Sequence, residues 1–241
     1  MKILALLPIW HRFGLLKLSV ESLLESDIEP YLVISPGEDK EIIDYAKQFR
    51  HSYHENIPIG SKLNQSIADI LKKEVQFDFL MNFGSDNLIN PELVKIYESY
   101  LNKYSFFGID DFYIFDIVSK RTVYFKMFGV DYGIGAGRMI RKDILLRLQK
   151  KGQQLYINSF NSGLDSCSAD IIKANFNMEQ FIIHSDTIPL ILDVKSLQNI
   201  NSFENLCSLK ERIVDADFNW VIRFFGKTGL KLKSLYHENN C

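Results

Sequence analysis

A chain of 241 residues that is 46% hydrophobic and 24% charged can bury a sizeable core, and a formal net charge of −2 with scattered basic residues leaves no basic stripe for sequence-specific nucleic-acid binding. No apolar run approaches the ~18 residues of a membrane helix, and Cys167, Cys207 and Cys241, far apart and without a C-x-x-C pair, make neither a disulfide framework nor a zinc site. The composition reads as a soluble, cytoplasmic protein with no transmembrane segment. The apolar opening is broken at Pro8, too early for the core of a signal peptide.

Residues 3–7 form a continuous apolar run, which predicts a strand covered on both faces and ended by Pro8. Leu15, Leu18, Ser19, Ser22 and Leu23 recur at helical spacing over 15–25, Pro30 stops that helix, and 31–35 predicts a second strand. Strand, helix and strand in this order predict a right-handed βαβ unit. A turn at Pro36, Gly37, Glu38 and Asp39 leads to a helix over 40–49, a brief strand over 51–55, and a helix from Gly60 with Leu63, Ile67, Ile70 and Leu71 on one side. The strand over 77–83 follows and ends in Gly84-Ser85-Asp86-Asn87.

Beyond it, 92–104 predicts a helix, and 106–116 with 121–128 an antiparallel pair in which aromatics alternate with acids. Gly133, Gly135 and Gly137 approach another strand, 142–150 is helical, a helix covers 166–174, and strands are predicted over 180–183 and 188–194. No linker or repeat interrupts the chain. The reading is one α/β domain with halves 1–88 and 89–205 and a helical tail over 206–241.

Chemistry concentrates at the strand ends. Strand ends of an open α/β sheet face a crevice, Gly84 lets the backbone pass close to a ligand, and Asp86 offers a hard oxygen of the kind Mg²⁺ or Mn²⁺ takes. The plainer use of Ser85, Asp86 and Asn87 is a turn and helix cap, but Asn90 with Pro91 already fills that role. Arg12 lies just past the first strand, where a guanidinium suits phosphate oxygens; its alternative is a surface charge. Trp10 reads equally as core filling or as a stacking wall. Lys62 and Asn64 stand at a helix start, where free N–H groups favour an anion, against a simple capping turn. Gly135, Ala136 and Gly137 are too few glycines for a dinucleotide fingerprint, and small residues there let a ligand approach the backbone beside Arg138. Asp165, opening a helix after Gly163, is either a cap or a base.

These motifs together resemble the nucleotide-sugar-dependent glycosyltransferases of the A-type fold, in particular the family-2-like group of bacteria and phages. The likeness rests on Pro8-x-Trp10-x-Arg12, Gly60-x-Lys62-x-Asn64, Gly84-Ser85-Asp86-Asn87 in place of an acid-x-acid signature, Gly135-Ala136-Gly137-Arg138, and Gly163-Leu164-Asp165, and spans 1–195. It implies a single GT-A-like domain, with a mostly parallel central sheet flanked by helices and a small antiparallel region in the second half. The first half would bind nucleotide and the second the acceptor. The implied reaction moves a sugar from a nucleoside-diphosphate sugar to a hydroxyl of a glycan or other acceptor.

In that resemblance Mn²⁺ or Mg²⁺ is held by Asp86, with His184 as a further ligand and Asp186, Asp193 and Lys195 behind it. The base rests among Pro8, Trp10, Arg12, Glu38 and Asp39; Lys62, Asn64, Ser85 and Arg138 belong to the donor site; Asp165 is the catalytic base, with Asp110 and Asp111 as competitors. Gly84 departs from the pattern, standing where a first acid is normal. Two alternatives stay open: a non-catalytic nucleotide-sugar or glycan-binding module, and a nucleotidyltransferase, which would need a glycine-rich basic loop that 8–13 lacks.

Overall fold

The first apolar run becomes β1 (Ile3–Pro8) in the computed structural model, which describes residues 1–127, 132–185, 188–197 and 203–238. Successive side chains of a strand point to opposite faces, so Ile3, Ala5 and Leu7 enter one apolar cluster and Leu4 and Leu6 another. Burial on both faces is why this strand has no polar alternation. Around it lie β2 (Glu29–Ile34), β3 (Arg50–Tyr53), β4 (Phe79–Asn82), β6 (Phe106–Ile109), β9 (Met139–Arg141) and β10 (Phe181–Ile183), in the order β10-β6-β9-β4-β1-β2-β3. β1 to β4 are mutually parallel, and β9 runs antiparallel to both β4 and β6. The helices α1 (Phe13–Glu25), α2 (Lys40–Ala46) and α3 (Ile59–Lys72) make the crossovers. This is the expected α/β architecture, a mostly parallel sheet flanked by helices in one domain.

A second sheet, ordered β12-β8-β7-β11-β5, joins β5 (Asn87–Ile89), β7 (Asp111–Asp116), β8 (Thr122–Lys126), β11 (Ile191–Lys195) and β12 (Ile213–Asp215). β11 lies antiparallel to β5 with Asp193 opposite Asn87, and the Val194 amide donates to the Asp86 carbonyl at 2.9 Å. A strand late in the chain is thereby stitched to the segment just after β4.

Two expectations are corrected here. The run over 106–116 is not one strand: it passes from the first sheet to the second at Asp110. The ladder partners change there: Ile109 is opposite Ile183 of β10, whereas Asp111 is opposite Lys126 of β8. Nor is the tail over 206–241 helical throughout. Ile213–Asp215 pairs with β8, and Asp217 then caps a new helix, α8 (Phe218–Ile222), by accepting from the Trp220 amide at 2.7 Å. α4 (Glu92–Glu98) is also shorter than predicted, while α5 (Lys142–Lys150) and α6 (Leu164–Phe176) lie on the face that buries Ile144, Leu148 and Ile172. Among the described residues no helix is long and apolar enough to cross a membrane.

Gly60 in the first turn of α3 sets how closely this helix meets the loop before α6. Its amide donates to the Phe160 carbonyl at 2.8 Å, and a Cβ there would stand 2.1 Å from the Ile157 carbonyl oxygen. Alanine normally stabilises a helix by ~1 kcal/mol over glycine. Gly60→Ala is expected to do the opposite, destabilising by about 1–3 kcal/mol in urea unfolding because the loop must move; a stabilised variant would contradict this packing.

Candidate functional site

A cavity of about 370 Å³ opens where β1 ends at Pro8 and β4 at Asn82, the carboxyl edge of the parallel strands. Asp86, Asp165, Asp193 and Lys195 all line it. Asp86 is delivered by a tight turn: the Gly84 amide donates to the Asn87 side chain at 2.8 Å, and Ser19 of α1 donates to the Gly84 carbonyl at 2.9 Å. A Cβ at position 84 would lie 2.5 Å from the Asp86 carboxylate and 2.6 Å from the Asn87 amide oxygen. A side chain at the position of the missing first acid would have to displace the Asp86 carboxylate and the Asn87 amide from where they stand.

Asp86 accepts from the Arg12 guanidinium at 2.7 Å, and the two side chains are only 14% and 13% exposed. Arg12 reaches it through an uncommon backbone: His11 and Arg12 both have positive φ, 54° and 57°. Glu38 holds that turn, its two carboxylate oxygens accepting from the His11 amide at 3.2 and 3.0 Å. Fully enclosed there, Glu38 is a loop clamp and not an open acceptor for a nucleobase. Trp10, by contrast, is 36% exposed, with its ring 4.2 Å from that of His11. It does not fill core.

Lys62 requires a similar correction. It is completely buried, and its ammonium donates to the Ile9 carbonyl, Ser35 hydroxyl and Asn56 amide oxygen at 2.7, 2.5 and 3.0 Å. It ties the ends of β1 and β2 together and offers nothing to an external anion. Asn64 likewise clamps a loop, bonding both the amide and the carbonyl of Tyr156 at 3.1 and 2.7 Å. Tyr156 in turn accepts from Asn82 at the end of β4 at 2.7 Å. Arg138, fully buried, donates to the Gly133 and Asp165 carbonyls and the Ser168 hydroxyl at 2.6, 2.7 and 2.6 Å. It is a strut between the glycine-rich segment and α6.

That strut locates Asp165. α6 is capped by Gly163 at φ 67°, so Asp165 is not the cap; its carboxylate accepts from the Gly135 amide at 2.9 Å. A Cβ at 135 would come 2.1 Å from the same carboxylate, which is why a glycine stands there. The competitors Asp110 and Asp111 are bound to His184, Ser185 and Tyr124 and do not line the cavity. His184 is therefore not brought to Asp86, and among the described residues no three His, Cys, Asp or Glu side chains converge as a metal cluster. Ser85 is buried with its hydroxyl unpartnered, and Asp186 lies outside the described residues.

Asp193 and Lys195 rank last in the sequence reading, yet they share the cavity with Asp86. Their ion pair is 2.7 Å long, with side chains 12% and 8% exposed. Burial pushes the Asp193 carboxyl up and the nearby Asp86 charge adds to this, while Lys195 opposes both. Burial alone would lower Lys195; Asp193 and Asp86 outweigh it and hold the ammonium above its ordinary value. The signal in sequence is an acid and a base at i and i+2 of an otherwise apolar strand, which puts both on one face.

No protein-family model matches the chain, and no curated protein matches it in sequence. Solved structures do match in fold. The 1–349 portion of S. aureus TarS, a glycosyltransferase, superposes with a TM-score of 0.52 at 14% identity over 80% of this chain and 60% of that one. A 4-diphosphocytidyl-2C-methyl-D-erythritol synthase gives 0.54 at 13% identity over 82% and 95%. A longer TarS structure gives 0.50 at 12% identity over 99% and 45%. At such identities the likeness carries the fold: this chain has a GT-A-type fold of the kind used by nucleotidyl- and glycosyltransferases.

Burial lowers the Lys62 ammonium from 10.5 to about 8, against the pull of Glu38. The unfolded chain therefore holds this proton more tightly than the folded chain between those values, so the lysine disfavours folding below pH 8 and ceases to do so above 10.5. Wild-type stability is expected to rise relative to Lys62→Met across that window, by at most about 3 kcal/mol. A flat difference in denaturant midpoints from pH 8 to 10.5 would contradict the buried placement.

Proposed function

We propose that the chain is a metal-dependent glycosyltransferase that moves a sugar from a nucleoside-diphosphate sugar to an acceptor hydroxyl. The observation that carries this reading is that Asp86 and Asp165, from opposite halves of the chain, line one cavity at the carboxyl edge of the sheet. In the proposed reaction the Asp165 carboxylate takes the proton of the acceptor hydroxyl as that oxygen bonds to the anomeric carbon and the bond from that carbon to the diphosphate breaks. The Gly135 amide fixes one end of this base, and the Arg138 strut fixes the helix that carries it. Arg12 and Lys195 are the cations for the departing diphosphate, and the half-exposed Trp10 offers a face for the nucleobase.

The residues present fit Mg²⁺ or Mn²⁺. Asp86 and Asp193 provide carboxylate oxygens in one cleft, and Oδ1 of Asp193 is buried without a hydrogen-bond partner. One or two carboxylates plus substrate phosphates are how these ions are commonly held. When bound, such an ion offsets the negative charge that develops on the leaving nucleoside diphosphate.

Nucleotidyl transfer is the second reading, supported by a fold likeness to the diphosphocytidyl-methylerythritol synthase as good as that to TarS. Against it, the loop after β1 has no glycine and a single arginine. The two part cleanly in assay. With a panel of nucleotide sugars and Mn²⁺, the wild type is expected to release nucleoside diphosphate, Asp165→Asn to be slower by about 100-fold or more, and Asp86→Ala to be inactive. Pyrophosphate release from nucleoside triphosphates and sugar phosphates would favour the second reading. Equal signals from wild type and Asp86→Ala would remove the enzyme reading and leave a binding module.

A further inference from the structure

Two ion pairs stand at the cleft, Arg12 with Asp86 and Lys195 with Asp193, each 2.7 Å long and each formed by side chains less than 15% exposed. Pairs this deeply buried seldom repay their desolvation, and apolar replacements are often as stable. Stability therefore does not explain them. The pairs are also adjacent: the amide of Val194, the residue between Asp193 and Lys195, donates to the Asp86 carbonyl at 2.9 Å. Each pair leaves one buried atom without a partner, Nε of Arg12 and Oδ1 of Asp193. One is a donor on a cation and the other an acceptor on an acid. An anion satisfies the first and a cation the second.

We propose that these pairs are placeholders that exchange partners when donor and ion bind: Arg12 and Lys195 turn from the two carboxylates to the diphosphate, and Asp86 and Asp193 turn to the divalent cation. This rests on the nucleotide-binding reading of the cavity and assigns Lys195 and Asp193 as its second cation and second acid, supplied by a distant strand in place of the acid missing at Gly84. Two acids and two cations cancel in the resting cleft. The doubly charged diphosphate of a nucleotide sugar alone, or a divalent ion alone, leaves it unbalanced, whereas both together restore neutrality. Each cation thus screens its acid from the metal ion, and each acid restrains its cation from phosphate.

The exchange has a signature in two binary titrations, which avoid metal–nucleotide complexes in solution: Mn²⁺ alone, followed by the electron paramagnetic resonance of the free ion, and UDP or GDP in EDTA, followed by calorimetry. Lys195→Met frees Asp193, so Mn²⁺ is expected to bind several-fold more tightly while the diphosphates bind about 10-fold or more weakly, the range of a typical coupling between sites. Asp193→Asn inverts both signs and serves if the lysine variant does not fold. Wild-type binding with changes of the same sign for both ligands, or with neither changed, overturns the exchange and leaves the transferase reading standing. A wild type that takes up neither Mn²⁺ nor either nucleotide, singly or together, overturns both.

Discussion

The antiparallel pairing of β5 with β11 is the contact on which the site depends. It puts the Val194 amide on the carbonyl of Asp86 and so carries Asp193 and Lys195, more than a hundred residues later in the chain, into the cleft that β4 opens. With it, Asp86, Asp193 and Lys195 line one cavity at the carboxyl edge of a parallel sheet, where backbone and loops already face outward, and Arg12 is paired with the first of them.

Around this charge cluster the geometry is set by absent side chains. Glycine at 84 leaves room for the carboxylate of Asp86 and the amide of Asn87, and glycine at 135 lets its backbone donate to the carboxylate of Asp165. In both places a Cβ would strike the acid itself. The buried polar residues behind the cleft work the same way. Glu38 holds the left-handed turn of His11 and Arg12, Lys62 joins two strand ends, Asn64 pins the loop that bears Tyr156, and Arg138 pins the start of the helix that bears Asp165. They fix where Arg12, Tyr156 and Asp165 stand.

The alternation of strand and helix through β4 was legible because continuous apolar runs and helical spacing are local properties, and so were Asp86 and Asp165 as acids at element ends. The roles of Glu38, Lys62, Asn64 and Arg138 were not. A charged residue at a strand end or helix start reads as a ligand contact, and only the fold reveals that Ile9, Ser35 and Asn56 already surround the ammonium of Lys62. Long-range pairing hid the rest. Nothing near Asp193 says that it will lie opposite Asn87, nor anything near Asp110 that the chain will change sheets there. His184 looked free as a metal ligand until the fold set it against Asp110.

The central claim is that one cleft receives the diphosphate of a nucleotide sugar between these groups. A crystal structure of the wild-type chain with UDP or GDP and Mn²⁺ tests it most directly. The account predicts the diphosphate in the cavity lined by Asp86, Asp165 and Lys195, with Mn²⁺ on the Asp86 carboxylate and the base against Trp10. A diphosphate bound elsewhere, with the Arg12–Asp86 and Lys195–Asp193 pairs intact and the cavity empty, would contradict it.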